Sequence, residues 1–251
     1  MNKLKLIRNL LLPPRCLACR KLLPFDGGGG EDIMCRECRG AFEAVKIKMC
    51  RTCAAFALDC RCMPDGLESA GCSALIKLAE YRASDLHGVI NSIVNNSKRY
   101  KYNDGFEFLA CQLVHGIRKA LDDFDINECD VLVTYCPRSW HSRHIYGFDQ
   151  AEMLARHITR QSDMTFAKLL SRKYKAFDKK QKQLSFVQRA NNVKGAISAV
   201  RGNDVRGKTV FLVDDVVTSG ATTAACTAAL LEAGAERVMC ACIAAAAKEN
   251  K

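Results

Sequence analysis

The chain has 251 residues, 49% of them hydrophobic, and a formal net charge of +11 at pH 7. An apolar fraction of this size over this length supplies a buried core plus a small appendage, so a wholly disordered chain is excluded. No apolar run reaches the roughly 18 residues that a membrane span needs, so we expect no membrane-spanning helix. Between Arg138 and Lys208 there are sixteen Lys and Arg against five Asp and Glu. This excess indicates either a phosphate-bearing partner, a small polyphosphate or nucleic acid, or a solvated surface.

Eight of the fifteen cysteines fall in close pairs at the N-terminal end of the chain. The other seven are scattered in apolar surroundings, which favours a reducing, cytoplasmic location. The paired residues form a C-x2-C-x15-C-x2-C set followed by a C-x2-C-x6-C-x-C set, namely Cys16, Cys19, Cys35, Cys38, Cys50, Cys53, Cys60 and Cys62. This spacing predicts one or two structural Zn²⁺ ions, coordinated either in sequence order or in a cross-braced arrangement.

The composition changes near residue 68, where the paired cysteines give way to regular α/β patterning. We place the boundary at about Asp65 to Ser69, which predicts a double zinc-ribbon module over 1–68 and a second domain over 69–251. In the first of these the metal replaces a hydrophobic core, and four thiolate ligands leave no open position for catalysis.

Strands and helices alternate beyond the boundary. A strand is predicted from Cys72 to Tyr81, followed by a helix that Ser84 can cap and a second helix that Asp104 can cap. The remaining predicted elements are a strand over 130–136, a helix over 148–160, a strand over 210–213, a helix over 222–233 that ends at Gly234, and a strand over 237–245. Strands separated by helices predict an α/β fold with a doubly wound, mainly parallel sheet.

The segment from Val213 to Thr222 carries the strongest functional signal of this domain. Asp214 and Asp215 directly follow an apolar strand, at the edge where open α/β sheets bind ligands. Thr218, Ser219, Gly220, Ala221 and Thr222 then turn into a helix, whose first N–H groups favour an anion. Carboxylates that accept from sugar hydroxyls beside an anion cradle predict a sugar phosphate ligand.

This segment resembles the phosphoribosyl pyrophosphate signature of type I phosphoribosyltransferases, and the chain as a whole resembles the competence protein ComF family. Besides the paired cysteines and Val213 to Thr222, the resemblance rests on Tyr81, Lys101-Tyr102, Pro137-Arg138, Arg143, 147–151, Gln181, Leu184-Ser185, Arg189, Asn192-Val193 and Gly195-Ala196. The sequence departs from the family's Arg-Gly-Phe-Asn run, because it has Tyr-Gly-Phe-Asp at 146–149.

The resemblance implies a type I phosphoribosyltransferase fold with phosphoribosyl pyrophosphate as ligand. Asp214 and Asp215 are implied to contact the ribose hydroxyls and stabilise a cationic sugar, with Thr218 to Thr222 around the 5′-phosphate. Arg138 and Arg143 are the implied cations of a pyrophosphate loop. Mg²⁺ is held mainly by the ligand's own oxygens, and the segment from Lys173 to Ala196 is the implied lid.

Three functions remain open from the sequence. The first is phosphoribosyl transfer to a nitrogen nucleophile, linked to DNA uptake and natural transformation or to nucleotide salvage. The second is a catalytically silent sensor of phosphoribosyl pyrophosphate, or a competence factor that binds single-stranded DNA through the basic 138–208 segment. The third is a zinc-stapled scaffold that recruits a partner such as a helicase-like competence ATPase.

Overall fold

The computed structural model describes residues 13–24, 33–46, 48–50, 52–82, 85, 88–138, 144–173, 196–200 and 204–246. Its strands in chain order are β1 (Cys72–Tyr81), β2 (Val131–Tyr135), β3 (Thr165–Phe166), β4 (Leu170–Arg172), β5 (Ile197–Ala199), β6 (Thr209–Val217) and β7 (Arg237–Ala246). Its helices are α1 (Arg36–Lys46), α2 (Asp65–Ser69), α3 (Val89–Arg99), α4 (Asn103–Asp123), α5 (Gln150–Thr159) and α6 (Ala221–Glu232). A single 3₁₀ turn, Glu128–Asp130, leads into β2.

Five strands form one parallel sheet in the order β1-β7-β6-β2-β3. The central strands are apolar on both faces, as in sheets that are covered on both sides. Phe211 and Val213 of β6 face the core formed with α4 and α5, whereas Val210 and Leu212 face the core that includes residues of α2 and α6. The predicted doubly wound parallel sheet is confirmed.

The antiparallel pair β4 and β5 was not predicted from the sequence. It brings together the two ends of the segment implied as a lid, because the Lys173 N–H donates to the Ala196 carbonyl over 2.8 Å. The segment between these ends, 174–195, lies outside the described residues.

Two predicted helix caps are wrong in position. The helix after β1 begins at Val89 with Gly88 as its N-cap, while Ser84 lies outside the described residues. Asp104 lies in the first turn of α4, whose N-cap is Tyr102. In both places hydrophobic packing determines where the helix begins, because buried Ile90 and Phe106 lie in the first turns.

The strand that was predicted to end at Val213 continues to Val217. Its pairing with β7 extends to Val217 opposite Ala245, whereas its pairing with β2 stops earlier. The acidic residues therefore lie within the strand, where only one of its two edges is still paired.

The N-terminal segment packs against the same core as the sheet. Leu17, Met34 and Phe42 are buried together with residues of β1, α3 and α4. Within the described part of the chain, no helix combines the length and apolar character needed to cross a bilayer.

Candidate functional site

Two copies of one local structure, the first knuckle (15–22) and the second knuckle (49–56), carry the first cysteines of the two sets. In each, the N–H four residues after the leading cysteine donates to that cysteine's carbonyl, and Arg20 and Ala54 at these equivalent positions have φ of 63° and 57°. Each knuckle is closed by one antiparallel bridge, Arg15 with Leu22 and Met49 with Phe56. This repeat was not predicted from the sequence, because the two segments share little outside the cysteines.

The eight cysteines form two groups in sequence order. The first cluster is Cys16, Cys19, Cys35 and Cys38, the second cluster is Cys50, Cys53, Cys60 and Cys62, and within each the Sγ atoms lie within 4.8 Å of one another. Cys19 Sγ is 3.7 Å from Cys35 Sγ, close to the tetrahedral edge of about 3.8 Å that Zn–S bonds of about 2.3 Å give. Both clusters fit a structural zinc ion, and the sequence-order arrangement is the one observed.

Thiolate formation is favoured at the leading cysteine of each cluster. Burial opposes the charge, but backbone N–H groups outweigh it and lower the pKa of Cys16 to about 7 and that of Cys50 to about 6. Burial and neighbouring thiols raise the pKa of Cys62 to about 12. A bound cation reverses that effect, because a coordinating thiol loses its proton.

The second cluster is joined to the sheet by a buried lysine. Lys77 of β1 is 5% exposed, and its Nζ lies 3.2 Å from Cys60 Sγ, 3.3 Å from the Cys60 carbonyl and 2.8 Å from the Cys62 carbonyl. A buried ammonium needs partners of opposite charge or strong acceptors. Since four thiolates around Zn²⁺ leave a net negative charge, Lys77 is placed to compensate it.

Asp214 and Asp215, the acidic pair, lie where β6 loses one neighbour. The last bond between β2 and β6 is donated by the Cys136 N–H to the Val213 carbonyl, over 2.9 Å. Consecutive backbone N–H groups of a strand point to opposite sides, so Arg138 is the next residue that could donate to β6, and its N–H bonds to Asp149 Oδ2 instead. The edge of β6 is thus uncovered on this side from Asp214 onward.

Asp215 is clamped by two helices. Its Oδ2 accepts from Lys98 Nζ of α3 over 3.0 Å and from Gln150 Nε2 of α5 over 2.7 Å, and its Oδ1 accepts from the Val216 N–H over 2.9 Å. Burial opposes the charge, but Lys98 and the hydrogen bonds hold the pKa of Asp215 below its usual value. The contact also fixes the Gln150 amide, because the reversed orientation would place its oxygen against a carboxylate.

Asp214 has different surroundings. Its Oδ1 accepts from the Asp215 N–H over 2.8 Å, and the residue as a whole is partly exposed. Desolvation by the surrounding protein, followed by the neighbouring charge of Asp215, raises the pKa of Asp214 well above its usual value. The pKa values of the two carboxyls therefore shift in opposite directions.

The loop 218–222 connects β6 to α6 through a left-handed residue. Gly220 has a φ of 73° and is the N-cap of α6, without a side-chain cap bond. The Ser219 hydroxyl accepts from the Ala221 N–H over 3.4 Å, and the Ala224 N–H donates to the Gly220 carbonyl. The N–H groups of the first turn have no intrahelical partner, and together with the helix dipole they form a site suited to an anion.

This loop rests on the segment that leaves the second cluster. A Cβ added at Gly220 would lie 3.2 Å from Leu67 Cβ and 3.4 Å from Pro64 Cβ. Leu67 of α2 is fully buried, and α2 packs against α6. Pro64 follows Cys62 by two residues. The second cluster therefore helps to position Pro64 and Leu67, the residues on which the loop 218–222 rests.

Arg138 follows the end of β2 and is held by the start of α5. Its N–H donates to Asp149 Oδ2 over 3.0 Å, and its guanidinium lies 4.9 Å from the centre of the Tyr146 ring. Asp149 is also the N-cap of α5, accepting from the Ala151 N–H, and burial raises the pKa of this carboxyl. The acid in the Tyr-Gly-Phe-Asp run thus has a structural role in joining the Arg138 loop to α5.

The structure brings the acidic pair, the loop 218–222 and, through α5, Arg138 to one edge of the sheet. Arg143, the other predicted cation, lies outside the described residues. Sequence reasoning missed Lys98, Gln150 and Lys77. A signal existed for two of them, since Lys98 continues the stripe of buried Ile90 and Val94 and Lys77 interrupts an apolar strand.

Residues 148–251 match the family model of the phosphoribosyl transferase domain. No protein of curated function matches the chain significantly. The predicted fold class, a mainly parallel sheet with flanking helices as in type I phosphoribosyltransferases, is confirmed, and the N-terminal cysteine clusters are compatible with zinc ribbons.

Solved structures similar to this chain include an allosteric regulatory enzyme of purine biosynthesis, at 28% identity over 44% of this chain with a TM-score of 0.30. The chain covers only 21% of that protein. A purine phosphoribosyltransferase from Pyrococcus horikoshii shows 18% identity over 55% of this chain and 74% of its own, with a TM-score of 0.32. A hypoxanthine phosphoribosyltransferase from Staphylococcus aureus shows 14% identity over 61% and 70%, with a TM-score of 0.33.

Proposed function

We propose that the chain binds phosphoribosyl pyrophosphate at the acidic pair and the loop 218–222, and that it transfers the phosphoribosyl group to a nitrogen nucleophile. The observation that carries this proposal is the position of Asp214 on the uncovered edge of β6, directly before a glycine-bearing turn into the N-terminus of α6. Sugar hydroxyls need acceptors and the 5′-phosphate needs N–H donors, and this edge supplies both within one short segment.

The charged groups divide between the two ends of the ligand. The loop 218–222 takes the 5′-phosphate, while Arg138 at the end of β2 takes the pyrophosphate, since β2 and β6 are neighbours in the sheet. Arg143 is a second cation for the same group. Lys98 already pairs with Asp215, and the ligand's own phosphate oxygens would hold Mg²⁺.

In the proposed reaction the bond between C1 of the ribose and the pyrophosphate oxygen breaks, and a bond from C1 to the acceptor nitrogen forms. Pyrophosphate leaves with the electron pair, and the acceptor's proton passes to solvent. Negative charge of the acidic pair stabilises the cationic sugar between these steps, and the cations hold the leaving group. Positioning and charge, rather than a covalent intermediate with the protein, carry the catalysis.

The wider assignment follows the sequence resemblance. We propose a ComF-like protein with a zinc-ribbon module over 1–68 and a phosphoribosyltransferase-like domain over 69–251, acting in the cytoplasm in DNA uptake or nucleotide salvage. The alternative is a silent sensor of the same ligand or a factor that binds single-stranded DNA, which the basic excess between Arg138 and Lys208 favours. A helicase-like ATPase is the protein partner proposed from the resemblance.

The test measures ligand binding and turnover separately. Calorimetry with Mg²⁺ and phosphoribosyl pyrophosphate gives the affinity, and pyrophosphate release against a panel of bases and amines gives the reaction. We expect the double variant Asp214→Asn, Asp215→Asn to lose binding, while Asp122→Asn at the exposed end of α4 keeps it. Binding that survives in the double variant contradicts the proposed site.

Binding without any release of pyrophosphate favours the sensor over the enzyme. For DNA, the decisive observation is binding of single strands that weakens with salt and disappears after charge reversal in 173–182. If single strands still bind after that reversal, the basic segment is not the contact surface.

A further inference from the structure

Five of the seven cysteines outside the two clusters lie in one apolar core, on the face of the sheet that α2 and α6 cover. They are Cys72, Cys136, Cys226, Cys240 and Cys242, and each is buried. The proposed reaction uses none of them. Two of the five, Cys72 of β1 and Cys240 of β7, are in direct contact, with 3.5 Å between their Sγ atoms.

A bulge-like irregularity in β1 brings these two thiols together. Cys72 lies opposite Val238 and Leu75 lies opposite Cys240, so β1 has one residue more than β7 between the two pairs. Side chains alternate along a regular strand, and residues three apart would point to opposite faces of the sheet. With the extra residue, Cys72 and Leu75 both face the core that includes α6. The contact between the thiols therefore depends on a specific distortion of the strand.

The two thiols differ in reactivity. The hydrogen bond with Cys240 lowers the pKa of Cys72 and, with a backbone contact, outweighs the effect of burial. Burial raises the pKa of Cys240 well above its usual value. Cys72 also has some exposed surface, 6% against 0% for Cys240. Because the thiolate is the nucleophile, Cys72 is suited to react with an oxidant first and Cys240 to close the disulfide.

Cys72 is connected to the loop 218–222 through α2, from which only two residues separate it. One of these is Gly71, where an added Cβ would lie 2.8 Å from Leu231 Cδ1 of α6. This junction leaves little free space in which a movement of Cys72 could be absorbed. Because α2 lies against Gly220, a shift of Cys72 is passed on to the loop.

We propose that Cys72 and Cys240 are a redox site, at which hydrogen peroxide forms a disulfide that weakens anion binding at the loop 218–222. The Cys72 thiolate attacks one peroxide oxygen and the O–O bond breaks, which leaves a sulfenic acid and hydroxide. The Cys240 sulfur then displaces the hydroxyl group of the sulfenic acid, and its proton leaves in water. In total, two thiols and one peroxide give one disulfide and two waters, and two electrons pass from sulfur to oxygen.

The disulfide changes the distance between the two strands at this point. An S–S bond is about 2.05 Å long, so the two sulfurs must approach by about 1.4 Å. A small thiol reverses the change by thiol–disulfide exchange. The effect on the loop rests on the proposed function, whereas the disulfide itself does not.

The test oxidises the zinc-loaded protein with hydrogen peroxide. Peptide mass spectrometry without reduction locates the disulfides, metal analysis follows the two clusters, and titration with inorganic phosphate reports on the loop 218–222. We expect a disulfide between Cys72 and Cys240 in protein that keeps its zinc. Phosphate affinity should fall by about fivefold or more and return after treatment with dithiothreitol.

Cys72→Ala and Cys240→Ala should each remove the effect of peroxide on phosphate affinity, because either variant lacks one half of the disulfide. Cys226→Ala, which removes another buried thiol of the same core, should keep the effect. The disulfide map of the wild-type protein decides the redox site even where a variant does not fold.

Disulfides that form only among the eight cluster cysteines, with release of zinc, overturn the redox site. A disulfide between Cys72 and Cys240 that leaves phosphate affinity unchanged overturns its link to the loop 218–222. Reduced wild-type protein that binds no phosphate overturns the proposed anion site and the link together, while the peptide map still decides whether the disulfide forms.

Discussion

The two cysteine clusters have the same knuckle and different neighbours. The first cluster packs against α3, where Asn96 Nδ2 donates to the carbonyls of Leu17 and Ala18 over 2.9 and 2.6 Å. The second cluster contacts β1 through Lys77. The chain then continues into α2, which lies against Gly220 of the loop 218–222. Identical local folding thus supports two different parts of the candidate site.

A structural metal site affects the rest of a protein through the residues that it packs against. The first cluster packs against the helix that carries Lys98, the partner of Asp215. The second cluster leads into Pro64 and Leu67, which lie against Gly220. Losing the metal of either cluster should lower the folding free energy by a similar amount. Only loss of the metal from the second cluster should weaken phosphate binding at the loop 218–222.

The largest effect should come from Cys19→Ser and Cys53→Ser, two exposed cysteines at equivalent positions of the two knuckles. Each should lose one zinc per chain and about 4 kcal/mol of folding free energy, or about 10 °C in melting temperature. Only Cys53→Ser should also lose affinity for inorganic phosphate at the loop 218–222. Metal analysis, calorimetric unfolding and phosphate titration measure the three quantities.

If both variants lose phosphate affinity equally, both clusters support the loop 218–222 and the proposed difference between them is wrong. Restoring zinc to chelator-stripped wild-type protein provides the control, since phosphate affinity should return with the metal.

The next effect is that of Lys77→Met. The substitution removes the three contacts that Lys77 Nζ makes to Cys60 and Cys62 and leaves the charge of the second cluster uncompensated. We expect a loss of about 2–3 kcal/mol and faster release of one zinc ion to a chelator. Lys21→Met is the matched control beside the first cluster, because Lys21 is exposed and paired with exposed Glu37; it should leave both quantities unchanged. Equal zinc release from the two variants would contradict the assigned role of Lys77.

A smaller effect separates backbone strain from contact with α2. Gly220→Ala and Gly207→Ala both place a side chain at positive φ, 73° and 65°, but only the former Cβ meets Leu67 and Pro64. Gly207→Ala should cost about 1 kcal/mol, and Gly220→Ala about 2–3 kcal/mol together with most of the phosphate affinity. Urea unfolding measures the loss of folding free energy, and titration measures phosphate affinity. If the two variants lose the same folding free energy, contact with α2 does not position the loop 218–222.

Features that depend on interactions between residues close in sequence could be predicted, whereas features that depend on contacts between distant residues could not. The cysteine sets, most of the helices and strands and the acidic pair follow from local patterns. The strand around Asp214 was predicted too short, because the continued pairing with β7 is a tertiary effect that overrides the acids' poor strand propensity. The clamp on Asp215 joins residues 65 positions apart in the case of Gln150, and local spacing carries no trace of it.

The smallest effect should come from the first cluster's own anchor. Asn96→Ala removes two hydrogen bonds from a partly buried amide and should cost about 1–2 kcal/mol, whereas Asn95→Ala, one residue away and exposed, should cost nothing measurable. Because Asn96 and Lys98 share the last turns of α3, the loss should also weaken ribose 5-phosphate binding about twofold while phosphate affinity stays constant. A change in phosphate affinity would place the first cluster beneath the loop 218–222 as well and remove the distinction between the clusters.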